Sequence, residues 1–186
     1  MAASGETSRI IGSLNRASRR IRFQAEDDDW ASAVLDGALV FSTLAALFRV
    51  DGDNLYLERA RVAGGSAELP ADVQVSLVSA PAFHTAVESR DPIIALASPH
   101  EISEPVAQKL GLATGVRIAL LPLVVGSKVA GVLLAAGGSE PFLLDGLELV
   151  ATLTGSVLEG RMAQAGAPGN AGLNITELVT IRGVDA

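Results

Sequence analysis

The feature that most constrains the fold is the apolar run at residues 120–138, which reads LLPLVVGSKVAGVLLAAGG. A membrane-spanning helix needs about 20 uninterrupted apolar residues, but Pro122 is poorly tolerated inside a helix. The Gly126-Ser127 pair is typical of a tight turn, and the β-branched valines beside it favour strands. The run therefore predicts a β-hairpin with strands at 116–125 and 128–136, in which Pro122 marks a sheet edge or a bulge.

The rest of the chain alternates helical and strand patterns. Apolar residues at helical spacing or helix-start signals predict helices at 9–22, 28–41, 81–88, 102–110 and 144–162. Alternation between turn signals predicts strands at 44–50, 55–62, 73–77 and 92–96. We see no internal repeat. Residues 164–173 are rich in Ala, Gly and Pro and read as a linker, and the tail 174–186 is either an added strand, a packing segment or disordered.

Composition excludes several classes of function. The chain has no cysteine, which rules out disulfides, a thiolate nucleophile, thiol-ligated metals and a thioether-attached chromophore. The net charge of −7 disfavours nucleic acid unless a local basic patch exists, and the 4% aromatic content gives few surfaces for base stacking. The first residues lack the apolar core of a signal peptide, so we expect a cytoplasmic location and no membrane span.

Three stretches, taken in order, resemble a known family. Residues 46–60 read ALFRVDGDNLYLERA, a hairpin with an Asp-Gly turn. Residues 115–135 read GVRIALLPLVVGSKVAGVLLA, an apolar hairpin with an internal Pro-Leu. Residues 141–161 read PFLLDGLELVATLTGSVLEGR, a Phe and an Asp before a Leu-rich closing helix. Together they are similar to the GAF domain family.

The resemblance implies an α+β fold. It has about six antiparallel strands, with the N- and C-terminal helices packed on one face and loops and short helices on the other. In this family the second face covers a ligand cavity, and the terminal helices form a dimer bundle. We accordingly divide the chain into a basic amphipathic helix for dimerisation (1–26), a GAF-like domain (27–165) and a linker with a C-terminal tail (166–186).

The chain also departs from functional subgroups of the family. Tetrapyrrole-binding members and the free methionine sulfoxide reductases of this fold use cysteines, which are absent here. Cyclic-nucleotide-binding members carry an Asn-Lys, Phe, Asp-Glu pattern, of which only Phe142 and Asp145 are present. We therefore interpret Phe142 as a core side chain and Asp145 as a helix N-cap.

Five residues are candidates for ligand binding: Phe83, His84, Arg90, His100 and Arg117. The histidines can bind metal or transfer protons, but they lack a short fixed spacing, and we favour an exposed loop or helix surface for both. Arg117 can neutralise a carboxylate or phosphate, although we favour a solvent-facing position for it, and the same two readings apply to Arg90. No HExxH, phosphate loop or nucleophile elbow is present. We predict no catalytic residue, no metal site and no cofactor.

The first predicted helix is rich in arginine, with Arg9, Arg16, Arg19, Arg20 and Arg22 and no acid. Such a helix can touch nucleic acid, an anionic membrane or an acidic partner, or be a solvated helix face. The acidic run at residues 26–29 offers partners for these arginines in a second subunit. The interpretation we favour is homodimerisation.

These observations lead to three hypotheses of different classes. The first is a non-catalytic sensor or regulatory module in signal transduction that binds a small molecule, a separate effector protein, or both, as a homodimer. The second is an interaction scaffold whose pocket is closed by aliphatic side chains and binds no ligand. The third, an enzyme, has no supporting motif.

Overall fold

An antiparallel sheet forms the centre of the structure, a computed structural model that describes residues 2–23, 30–65, 68–69, 73–137 and 142–165. Its strands are β1 (Leu44–Asp51), β2 (Asn54–Val62), β3 (Glu68–Leu69), β4 (Gln74–Ser76), β5 (Ile93–Leu96), β6 (Arg117–Val125) and β7 (Lys128–Ala136). The strand order is β3-β2-β1-β7-β6-β5, and β4 pairs with the same edge of β2 as β3, farther along that strand. The sheet is therefore six strands wide, as predicted.

Six α-helices accompany the sheet in the described part of the chain. They are α1 (Ala2–Phe23), α2 (Trp30–Ala38), α3 (Pro81–Ser89), α4 (Pro99–Ile102), α5 (Glu104–Lys109) and α6 (Leu144–Ala165). We call α1, α2 and α6 the terminal-helix layer. We call α3, α4 and α5, with the 3-10 turn at Leu77–Ser79 that precedes them, the short-helix layer.

The two layers cover opposite faces of the central strands, because alternate residues of a strand point to opposite faces. Ala45, Leu47 and Leu133 are buried against the terminal-helix layer. Ala46, Phe48 and their neighbours are buried against the short-helix layer. Strands covered on both faces read as continuous apolar runs, which explains the composition of residues 120–138.

The environment of Pro122 confirms that it lies at a local edge. The N–H of Thr43 donates to the carbonyl of Ala136 at 2.9 Å, so Ala136 points its polar groups toward β1. Its partner Ile118 and, by alternation, Pro122 therefore point theirs away from β7. On that side β5 pairs only as far as Leu120, so the missing N–H of Pro122 interrupts no ladder. A register shift follows at once, at residues 123–124.

Several details of the prediction were wrong. The first helix, predicted from residue 9, begins at Ala2. The second helix ends at Ala38, because the last turn tightens to i→i+3 hydrogen bonds such as that from Phe41 N–H to the carbonyl of Ala38. The helix predicted at 102–110 is two helices, because a proline at position 105 cannot continue a helix begun before it. Asp145 lies in the first turn of α6 and not at its N-cap position.

Helix α1 packs on its own chain. Ala17 and Ile21 are buried against α2 and α6, and the Cβ of Ala17 approaches the backbone at Gly37. Arg20 Nη1 lies 2.7 Å from Asp36 Oδ2, and Arg61 contacts the other oxygen of the same carboxylate. The other arginines of α1 whose side chains are described, at 16, 19 and 22, are exposed. The side chain of Arg9 and residues 26–29 lie outside the described part, and so does the tail 166–186.

In the described part of the chain, no helix combines the length and the apolar character needed to cross a membrane.

Candidate functional site

The space between the sheet and the short-helix layer is where the resemblance implies a ligand cavity, and apolar side chains fill it. The ring of Phe83 packs edge-to-face on that of Phe48, with centroids 4.9 Å apart. Ile102, Val106 and Leu110 close the layer above them, and all five side chains are at most 4% exposed. A void that held even one water would leave accessible surface on its lining residues. Around these side chains the layer is therefore closed.

One polar group interrupts this apolar layer. Ser103, which joins α4 to α5, is 4% exposed, and its hydroxyl is buried without a hydrogen-bond partner among the residues that the structure describes. Its backbone adopts φ 71° and ψ 149°, a combination that is nearly confined to glycine. An unsatisfied buried hydroxyl costs about 1–3 kcal/mol, and such a backbone costs a similar amount. Two unfavourable features therefore coincide at one residue.

The other buried polar residues of the described chain are satisfied, which sets Ser103 apart. Thr154 donates to the carbonyl of Val150 at 2.7 Å, and Ser42 donates to that of Ala38 at 2.9 Å. Ser32 accepts hydrogen bonds from the guanidinium groups of Arg59 and Arg61. The sequence does not single out Ser103, because its pattern predicts one continuous helix over residues 102–110. The nearby Pro105 was the signal that could have exposed the break.

The five predicted ligand residues do not form one site in this structure. Phe83 is fully buried in the core, whereas His84 is exposed on the outer side of α3, with Nδ1 3.8 Å from Glu88 Oε2. His100 is exposed on α4. Arg90 ends α3 and is exposed. Their roles in ligand binding stay a prediction.

Arg117 lies on the opposite face of the sheet from Phe83, because it precedes Ile118, which faces the short-helix layer. Its guanidinium carbon lies 5.7 Å from the centroid of the Phe142 ring. Phe142 packs partly buried against the terminal-helix layer, in agreement with its interpretation as a core side chain. Arg117 therefore makes a cation–π contact with Phe142, on the face of the sheet opposite to Phe83.

Open space lies outside the closed layer. A cleft of about 430 Å³ runs between the turns of the two long hairpins, and a groove of about 320 Å³ follows the outer edge of β6 beside α6. Arg90 lines both. A cavity of about 40 Å³ lies between Trp30, Leu47 and Met162. The described residues contain no group of three or more His, Asp or Glu side chains that could hold a metal ion.

Comparison with known proteins shows which solved structures share this architecture. No family model matches the sequence, and no curated protein matches it. A solved structure of a methyl-accepting chemotaxis protein, residues 122 to 287, is similar with a TM-score of 0.64 at 17% identity, covering 82% of this chain and 99% of that one. The GAF domain of nlh2 from A. aeolicus, solved in an inactive state, gives a TM-score of 0.58 at 12% identity, covering 83% and 98%. The chain has the GAF fold. The fold predicted from the three sequence stretches is confirmed.

The same architecture also occurs in a solved enzyme. The free methionine-R-sulfoxide reductase of Neisseria meningitidis, in complex with its substrate, is similar to this GAF-fold chain with a TM-score of 0.53 at 18% identity, covering 81% of this chain and 88% of that one. At identities this low the likeness shows the fold alone. Function must therefore be argued from the residues of this chain.

Proposed function

We propose that this chain is a non-catalytic regulatory module of signal transduction that acts through protein contacts as a homodimer. The observation that carries the proposal is the closed layer beneath α3, α4 and α5. With Phe83, Ile102 and Val106 packed on the sheet, the face that would hold a ligand serves as core. For the pocket, the proposal follows our second hypothesis, in which aliphatic side chains close it. For the role of the chain, it keeps the regulatory function in signal transduction of our first hypothesis.

Similar proteins support the regulatory role by analogy. Structures of the same fold include the GAF domain of a two-component sensor histidine kinase from Bacillus halodurans and a putative GAF sensor protein from Burkholderia vietnamiensis. The absence of cysteine removes the thiol chemistry that the family resemblance associates with reductases. The two histidines are exposed and lie on separate helices.

The terminal helices supply the surface for a second copy. Ile11 on α1 is 52% exposed, and Leu149 and Met162 on α6 are 47% and 36% exposed. The two helices pack against each other within the chain. A homodimer formed through these two helices would remove such apolar side chains from water. The exposed arginines of α1 beside them favour a partner surface that carries acids.

A second candidate function, small-molecule sensing, is favoured by Ser103. A buried hydroxyl without a partner on a strained backbone is a position where a polar ligand group would relieve a cost. The ligand would enter by displacing α4 and α5, the two shortest helices of the structure.

A thermal-shift screen separates the two candidates. The purified chain is heated in the presence of single metabolites covering nucleotides, amino acids, organic acids and sugars, and the same screen is run on Ser103→Ala. Ser156→Ala is the matched control, because Ser156 is exposed on α6 and bonds only to the carbonyl of Thr152.

The proposal predicts that no compound raises the melting temperature through the short-helix layer. A compound that stabilises the wild type and Ser156→Ala but not Ser103→Ala would contradict the closed-layer proposal. That result would establish the second candidate.

A further inference from the structure

The cleft between the two hairpin turns has an apolar floor and a cationic rim. Val50, Val87 and Val129 are partly buried and form the floor. Three cations and one acid line the cleft: Arg49, Arg90, Lys128 and Asp51. An amphipathic cleft of about 430 Å³ is within the ordinary size range of small-molecule sites.

The acid of the cleft is already paired, and two of its cations are not. Arg49 Nη1 lies 3.3 Å from Asp51 Oδ2, and Arg49 Nε donates to Glu58 at 2.7 Å. Arg90 and Lys128 are exposed, and neither side chain has an ion-pair or hydrogen-bond partner within the part of the chain that the structure describes. In a chain with a net charge of −7, two uncompensated cations at one cleft form a local positive surface.

The backbone at Arg90 makes the arginine itself unexpected. Arg90 ends α3 in the left-handed conformation, with φ 63° and ψ 17°, and its N–H donates to the carbonyl of Ala86. Glycine is the residue that this helix-ending position favours, and a side chain there costs about 1 kcal/mol. The guanidinium group makes no hydrogen bond or ion pair with the described residues that would offset this cost. A bound anion would give the side chain a partner.

We propose that this cleft binds a small organic anion with a short apolar body, such as a short-chain carboxylate. The anionic group lies between the guanidinium of Arg90 and the ammonium of Lys128, and the apolar body covers the three valines. The site lies at the C-terminal end of α3, and none of its lining residues is Phe83, Ile102 or Val106, so it stands or fails independently of the closed packing around those three side chains.

The test is an NMR titration of the full chain with hexanoate, with hexanol as the uncharged analogue and inorganic phosphate as the anion without an apolar body. We expect hexanoate to shift the backbone amides of Gly52, Val87 and Val129 in a saturable manner. Hexanol and phosphate are each expected to bind at least about tenfold more weakly than hexanoate, because hexanol lacks the anionic group and phosphate lacks the apolar body.

Three variants complete the test. Arg90→Gly suits the backbone of its position, so we expect a chain at least as stable as the wild type with hexanoate affinity lowered about tenfold or more. Lys128→Gln is expected to weaken binding similarly. Arg19→Gln removes one exposed charge from α1 and should leave the affinity within about twofold. The proposal would be overturned if the amide shifts did not saturate with hexanoate, or if Arg90→Gly bound hexanoate as tightly as the wild type. A loss of hexanoate affinity in Arg19→Gln as large as that in Arg90→Gly would also overturn it.

Discussion

At the scale of single residues, Ser103 carries the most specific consequence for stability. Ser103→Ala removes a buried hydroxyl that has no partner in the described part of the chain, so we expect the free energy of unfolding to rise by about 1 kcal/mol. Ser103→Gly removes the hydroxyl and also suits φ 71°, so we expect a rise of about 1–3 kcal/mol. For a chain of this size each kcal/mol moves the melting temperature by about 2–4 °C in calorimetry.

The matched control for Ser103 is Thr154→Val. Thr154 is equally buried but donates to the carbonyl of Val150, so losing its hydroxyl should lower stability or leave it unchanged. If Ser103→Ala lowers the melting temperature as well, the hydroxyl has a partner in solution and the closed layer is refuted.

The sequence predicts individual side chains best where a single pattern decides their place. Leu55 and Leu57 follow the alternation along β2, and both are buried. The placement of Arg117 did not follow, because its face depends on the register of β6 against the two layers. Ser103 escaped for a similar reason, since only the break between α4 and α5 gives it an unusual backbone.

At the scale of elements, the packing of α6 on β6 depends on a glycine. A Cβ on Gly155 would lie 2.5 Å from the carbonyl oxygen of Val124, so Gly155→Ala forces the helix away from the strand. We expect Gly155→Ala to lower the free energy of unfolding by about 1–3 kcal/mol, measured by urea denaturation.

Gly160 in the same helix provides the control for that prediction. A Cβ there would have no described atom within 4 Å outside its own helix, so Gly160→Ala should raise stability by up to about 1 kcal/mol through helix propensity alone. Equal effects of the two substitutions would contradict the close approach of α6 to β6.

Elements with strong local signals were predicted to within a few residues. The hairpin β6–β7, the hairpin β1–β2 and α3 match their predicted bounds closely. The two-residue strand β3 carries no recognisable pattern, because pairing with β2 alone defines it. The boundary between α4 and α5 depends on a tertiary arrangement that holds Ser103 at a positive φ, although Pro105 made a break possible.

At the scale of the whole molecule, the GAF fold could be predicted from the order of three stretches, because that order is a property of topology. Filling of the cavity could not be predicted, because the same apolar residues line an open pocket or close it. Only the packing of Phe83, Ile102 and Val106 in three dimensions distinguishes the two. The domain division at residues 26 and 165 stays a prediction.

Homodimerisation makes a prediction at this scale. Ile11→Asp and Leu149→Asp place a charge on the exposed apolar surface of α1 and α6, and we expect each to shift the chain to monomer in sedimentation velocity. Deleting α1 would be a poorer test, because Ala17 and Ile21 also belong to the buried core. Leu96→Asp, at an exposed position on β5, is the control and should leave the dimer intact.

The most direct test of the central claim is native mass spectrometry of the purified full chain. A closed, ligand-free regulatory module that acts as a homodimer predicts one dominant species, with the mass of two bare chains. A monomer as the dominant species would contradict the dimer. A tightly held non-protein mass that persists in Arg90→Gly, where the hairpin cleft has lost its guanidinium, would contradict the closed layer.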